Sequence, residues 1–186
     1  VDIIIGGKAI TPNRALDSAF SNKYTHHTAG FIVGDARRDE FSSMEKINAM
    51  KSLTLGVPVS VYYKNSIQKI LPQAKLVLID DPVKYFSGEY KEVNAFVTSS
   101  EAGSAWTLLY PKYTAVVPKG LKLKAPIGFK LPKGQPDYLQ YINTWLELKK
   151  ENGYLQNVYE YWILGKNPKQ KEPRWSVIRD VLGWHL

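Results

Sequence analysis

The stretch Asp2-Ile3-Ile4-Ile5-Gly6-Gly7-Lys8-Ala9-Ile10-Thr11-Pro12-Asn13-Arg14 decides the reading of this chain. The β-branched run Ile3 to Ile5 stops at Gly6-Gly7, which predicts a short buried strand of a parallel sheet. The two glycines open backbone N–H groups at the carboxyl end of that strand, where open α/β sheets bind ligands. A short turn then presents Thr11 and Arg14. Backbone donors and a guanidinium suit a carboxylate, because arginine offers a planar two-point fork. The same residues also fit a capped surface turn with a solvated arginine, and both readings stand at this point.

Outward from that stretch, strand-like and helix-like segments alternate. Phe31-Ile32-Val33 is a second apolar run, and Ser42 with Glu45 forms a capping box before Met44, Ile47 and Met50. Leu53 to Val57 reads as a strand, Asn65 to Leu71 as a short helix and Lys75 to Ile79 as a strand. Asp81 caps a helix that has Pro82 at its first position and buries Val83 and Phe86. Val93 to Val97, Tyr113 to Val117 and Ile127 to Leu131 complete the strands, with a helix from Ser100 to Leu109. Trp106 and Tyr110 lie four apart on that helix. Leu139, Ile142 and Leu146 share a helical face that Gly153 ends, and Leu155, Val158, Tyr159 and Trp162 repeat the spacing. A last helix carries Trp175, Ile178 and Leu182. This alternation predicts an α/β fold with mainly parallel sheets. A chain that starts inside a core strand, at Val1, reads as a piece of a longer polypeptide.

Composition removes several function classes. The 186 residues are 44% hydrophobic and 23% charged, which is globular, and there is no cysteine. Disulfides, thiolate metal sites and cysteine nucleophiles are thereby excluded. Residues 1–118 carry 13 basic and 11 acidic side chains, and residues 119–186 carry 12 and 6, so the net charge of +8 gathers in the last third. Its scattered lysines read as a solvated face, and no nucleic-acid motif accompanies them. No run reaches the length of a membrane span.

The other constellations carry little chemistry. There is no Gly-x-Ser-x-Gly elbow, and Gly6-Gly7-Lys8 has neither Walker nor dinucleotide spacing. His26 and His27 are adjacent and would face opposite ways on a strand, so they do not make a metal site. Asp39-Glu40 and Asp80-Asp81 read as loop and cap acids. No metal and no cofactor is expected.

The quoted stretch resembles the strand followed by Ile-Thr-x-x-Arg of the type 2 extracytoplasmic solute-binding proteins, in particular the amino-acid-binding group, family 3 of the bacterial extracellular binders. Ala19-Phe20-Ser21-Asn22-Lys23-Tyr24, Val93-Asn94-Ala95-Phe96-Val97 and Pro126-Ile127-Gly128-Phe129-Lys130-Leu131-Pro132-Lys133-Gly134 are similar to later motifs of that group. So are Trp145, Gly153, Tyr161-Trp162 and Gly165. The resemblance runs over nearly the whole chain. It implies a periplasmic binding protein-like II fold, in which two α/β lobes joined by two extended hinge crossings close on a small solute. Lobe 1 would be residues 1–33 and 114–186, lacking its opening strand-helix units, and lobe 2 residues 34–113. The partner would be a membrane permease or a fused transporter domain, with no nucleic acid. Pro173 to Trp184 resembles the ends of members fused behind a dicarboxylate-symporter-like membrane domain.

By the family's pattern the backbone of Gly7 and Ala9, with Thr11 and Arg14, would hold a carboxylate. The second half of the site departs from that pattern. Ser60-Val61-Tyr62 stands where the family has glycine and two hydroxyl residues. Ser99 stands where it often has the aspartate that pairs with an α-ammonium. A neutral hydroxyl cannot supply that charge-assisted bond, and Glu101, two residues on, is the nearest acid. Glu101 also suits a first-turn acid of the helix it opens. The expected solute is therefore an amino acid or a related non-amino organic acid. A sensor domain of a fused transporter and a homologue that no longer binds are the other readings. Relatives that dehydrate cyclic acids make an enzyme a further one, with Glu101 as its only candidate acid.

Overall fold

The computed structural model describes residues 2–59 and 61–163. The chain divides into two compact units, residues 1–140 and 141–186. The eight strands among the described residues belong to the first unit, in one sheet of order β1-β8-β3-β6-β4-β5, with β2 on β8 and β7 on β3.

In chain order the first half contains β1 (Ile4–Ala9), α1 (Pro12–Asp17), β2 (Ala19–Phe20), β3 (Thr25–Gly34) and α2 (Met44–Asn48). A 3-10 turn, Asp35–Phe41, links β3 to α2. Then follow β4 (Thr54–Pro58), α3 (Val61–Ile70), β5 (Lys75–Ile79), α4 (Pro82–Phe86), β6 (Ala95–Ser99), α5 (Ser100–Leu109), β7 (Tyr113–Val116) and β8 (Lys124–Leu131). The helices α6 (Pro136–Glu151) and α7 (Tyr154–Trp162) come last.

The strand β3 organises the sheet. Thr25 to Thr28 pair with β8, Ala29 to Ile32 with β6, and Phe31 to Gly34 with β7, all antiparallel. Its run Phe31-Ile32-Val33 is fully buried, and alternation sends consecutive residues to opposite faces. Phe31 and Val33 join Phe41, Ile47, Leu55, Val57, Ile67 and Leu71 on one side. Ile32 joins Ile79, Tyr85, Phe86, Val93 and Phe96 on the other. A strand covered on both faces must read as a continuous apolar run, and this one does. Trp106 and Tyr110, ambiguous in the sequence, are half-buried and pack against this core: Phe86 stacks on them at 5.4 and 4.6 Å.

The mainly parallel sheet is corrected. Among the described strands only β4–β5 and β4–β6 are parallel pairs. A parallel pair needs a crossover, which α3 and α4 supply between β4, β5 and β6; the partners of β3 run back against it. The buried parallel strand at Ile3 to Ile5 is corrected too. β1 is an edge strand, antiparallel to β8, its register breaks between Ile4 and Lys8, and Ile5 is 65% exposed. With one neighbour, β1 has no second row of side chains to pack beside it.

Three local readings also shift. The cap of α2 is Ser43, whose hydroxyl accepts from Lys46 N at 3.3 Å, while Ser42 Oγ donates to Asp39 O. On α4, Asp81 caps and Pro82 leads as expected, but Tyr85 and Phe86 are buried and Val83 is 42% exposed. The helix α3 begins at Val61, four residues before Asn65.

In the second unit, Ile142 and Leu146 are the buried residues of α6. Gly153 separates α6 from α7 at φ +76°, a left-handed conformation that favours glycine. Lys149 Nζ lies 5.8 Å from the Trp145 ring and 5.0 Å from that of Tyr154. The expected helix at Trp175, Ile178 and Leu182, and the stretch Pro173 to Trp184, lie outside the described residues.

Candidate functional site

A cavity of about 300 Å³ opens beside the end of β1, the size of a small-molecule pocket. Its wall combines Gly6, Gly7, Lys8 and Ala9 of β1 with Arg14 of α1 and His27 of β3. Pro58 and Tyr63 line it from β4 and α3, and Thr98, Ser99 and Ala102 from β6 and α5. Ala125 and Ile127 of β8 complete it.

The turn that places Arg14 follows from local chemistry. Thr11, in extended conformation, accepts Arg14 N on its hydroxyl at 3.3 Å, and its carbonyl accepts Ala15 N at 3.0 Å. Pro12 sits in the first turn, where its missing N–H has no helical partner to lose. The helix thus starts at once after β1, and Arg14 Nη1 folds back to donate to Ala9 O at 2.9 Å. Both sequence readings of this turn meet here: Thr11 is a helix cap outside the cavity wall, and Arg14 is in the wall.

Gly7 adopts φ +61°, which turns the β1 backbone at the point where it meets the cavity. A Cβ there would lie 3.0 Å from His27 Cε1, so the imidazole rests against the glycine backbone. Half-buried, His27 has its pKa pushed down by desolvation, against which the Glu101 charge acts. Burial likewise raises the Tyr24 phenol, opposed by a backbone hydrogen bond from Gly7. Tyr24 packs on Phe129 with ring centroids 4.9 Å apart.

The second half of the expected site is partly assembled. Ser99 is in the wall, 4% exposed, but its hydroxyl is committed as the cap of α5, accepting Ala102 N at 3.1 Å. Glu101 stands in the first turn of α5, outside the lining; its Oε1 accepts Thr28 N at 3.3 Å, and its Oε2 is buried without a hydrogen-bond partner. Ser60 lies outside the described residues, and Val61 opens α3 beside the lining residues Pro58 and Tyr63.

Sequence reasoning missed His27 as a lining residue. Its signal was present: alternation along β3 turns His27 away from His26, so one of the two had to face inward. Lys8 and Tyr63 carried no comparable signal. Among the described residues no group of three or more histidines and acids lies close enough to hold a metal ion. No described helix is long and apolar enough to cross a membrane.

The model of the bacterial extracellular solute-binding proteins, family 3, matches residues 1–165. Among solved structures, an ancestral amino acid-binding protein, a precursor of cyclohexadienyl dehydratase, is 25% identical. That match covers 87% of this chain and 68% of the other at a TM-score of 0.68. A substrate-binding protein of an amino acid ABC transporter from Streptococcus pneumoniae, bound to L-arginine, is 15% identical at a TM-score of 0.72, over 88% and 68%. The solute receptor for L-cysteine of Neisseria gonorrhoeae is 22% identical at 0.69, over 93% and 68%. These last two likenesses establish the fold, a mixed α/β architecture of the periplasmic binding protein-like II kind. No curated protein sequence matches the chain.

Proposed function

Because the chain belongs to the bacterial extracellular solute-binding proteins of family 3, we propose that it captures a small carboxylate-bearing solute outside the cytoplasm for membrane transport. The solute is an amino acid or a related organic acid. The observation that carries this reading is the wall itself, where Arg14 and the backbone of Gly7 and Ala9 converge on one cavity. A guanidinium binds a carboxylate through charge-assisted bonds in a planar two-point fork. The structural likeness to an amino acid-binding protein at 25% identity supports the amino-acid end of the range.

The chain hands its solute to a membrane permease or to a transporter domain fused to it. It closes by hinging, with residues 1–33 and 114–186 as one lobe and 34–113 as the other. The pairing of Phe31 with Val116 and Val33 with Thr114 supports two extended crossings side by side. The role is binding without turnover: Glu101, the acid a dehydratase would use, has its Oε2 shut away from the cavity.

The test is a calorimetric screen of the full chain against amino acids and organic acids. A carboxylate should bind, and Arg14→Ala should abolish that binding while the domain stays folded. Full affinity in the variant, or no binding of any carboxylate, overturns the reading.

A further inference from the structure

The cavity wall is unbalanced in charge. Lys8, Arg14 and His27 line it, and among the described residues no acidic side chain does. An α-amino acid needs an acceptor for its ammonium, and the two residues that the sequence offers for it, Ser99 and Glu101, are both engaged elsewhere. The Ser99 hydroxyl caps α5. Glu101 holds Thr28 N with one carboxylate oxygen and has the other buried where no solute reaches it.

We propose that His27 is the second polar anchor of this cavity, oriented by Glu101 and taking, when protonated, a second anionic group of the solute, so that the site selects dicarboxylates over zwitterionic amino acids. This rests on the carboxylate-binding reading above and names its solute class.

Three arrangements carry the proposal. The ring is held on one side by Gly7, whose left-handed backbone lets it approach; a Cβ would stand 3.0 Å from Cε1 and 3.6 Å from Nε2. The bond from Thr28 N to Glu101 ties the first turn of α5 to the residue next to His27. Glu101 Oε2 is left buried and unpaired, an arrangement that a positive charge beside it relieves. Glu101 is therefore a positioning residue, and His27 is the one with surface in the cavity.

The charged groups around His27 are Glu101 from α5 and the fellow lining residues Lys8 from β1 and Arg14 from α1. With the cavity free of solute, desolvation holds the imidazole below its ordinary pKa, against the pull of the Glu101 charge. A second carboxylate entering beside it reverses that balance, and binding takes up one proton on His27. Affinity then rises as pH falls, by at most about tenfold per pH unit between the pKa values of the bound and free states.

Titration calorimetry of the full chain with succinate and with L-glutamine, from pH 5.5 to 8.5 and in buffers of different ionisation heat, tests this. Succinate should bind more tightly than glutamine, take up a proton near neutral pH and weaken toward pH 8.5. His27→Gln, which keeps a side-chain donor, should remove both the proton uptake and the pH profile. Glu101→Gln, which keeps an acceptor for Thr28 N, should shift the profile to lower pH. A carboxylate that binds through Arg14 with the same pH profile in His27→Gln overturns this proposal alone. So does a preference for glutamine over succinate. Absence of any Arg14-dependent carboxylate binding overturns it together with the reading on which it rests.

Discussion

Gly7→Ala is the sharpest test of how the binding edge is built. Two costs are visible in the structure. At φ +61° an alanine enters the left-handed region, which costs an L-residue about 1–2 kcal/mol. Its Cβ would also stand 3.0 Å from His27 Cε1, inside ordinary carbon contact, so the ring must move by roughly half an ångström to reach the usual 3.5 Å. Turning the side chain off its rotamer adds about 0.5–1.5 kcal/mol. The reduced freedom of the unfolded chain returns about 0.4–1 kcal/mol. The net loss is about 0.5–3 kcal/mol, read as a lower urea midpoint with an unchanged slope. Gly6→Ala is the control, because its Cβ would meet only Ile4 Cγ2, at 3.7 Å, with no left-handed φ to sustain. The reasoning fails if the two variants lose the same stability. It also fails if the Cε1 proton of His27 keeps its chemical shift in Gly7→Ala, since the ring would then not be resting on that glycine.

Other expected outcomes are simpler. Ser99→Ala removes the cap of α5 and should cost about 1 kcal/mol in denaturant unfolding; an unchanged midpoint would show that the capping bond carries no weight. Tyr85 is buried and donates to Ile32 O at 2.8 Å across the core, so Tyr85→Phe should cost about 1–3 kcal/mol, and a neutral result would contradict that bond. In the solute-free protein His27 has a lowered pKa, so its neutral form favours the fold. The stability it contributes is full above its unfolded value of 6.5 and lost as pH falls through the lower folded value. Urea midpoints taken from pH 7.5 to 5 should therefore fall more steeply in the parent than in His27→Gln, and parallel curves would refute the assignment.

Much of the architecture was legible in the residues. The bounds of α5, Ser100 and Leu109, follow from a serine cap at one end and Pro111 beyond the other. Asp81-Pro82 opens α4 for reasons internal to four residues. Phe31-Ile32-Val33 announces a strand buried on both faces, and it proves to be the middle of the sheet. Thr11, Pro12 and Arg14 predict their own turn, because a cap, a fixed φ and a short reach settle it locally. Such features rest on interactions between residues a few positions apart, and the chain carries those wherever it goes.

Strand direction and site membership do not have that property. Ile3 to Ile5 has the composition of a buried parallel strand, yet β1 lies at an edge and antiparallel, because its only partner is β8, more than a hundred residues along the chain. Glu101 lies near the cavity in sequence terms and is turned behind it by the N–H of Thr28, 73 positions away. His27, set aside as one of an adjacent pair, is brought into the wall by the same contact and by the glycine that lies on its ring. The sequence by itself determined most of the elements, the family and the turn that carries Arg14, where local interactions and motif order suffice. Only the tertiary structure decided which strands pair, in which sense, and which titratable side chains face the cavity, because those depend on contacts closed between distant parts of the chain.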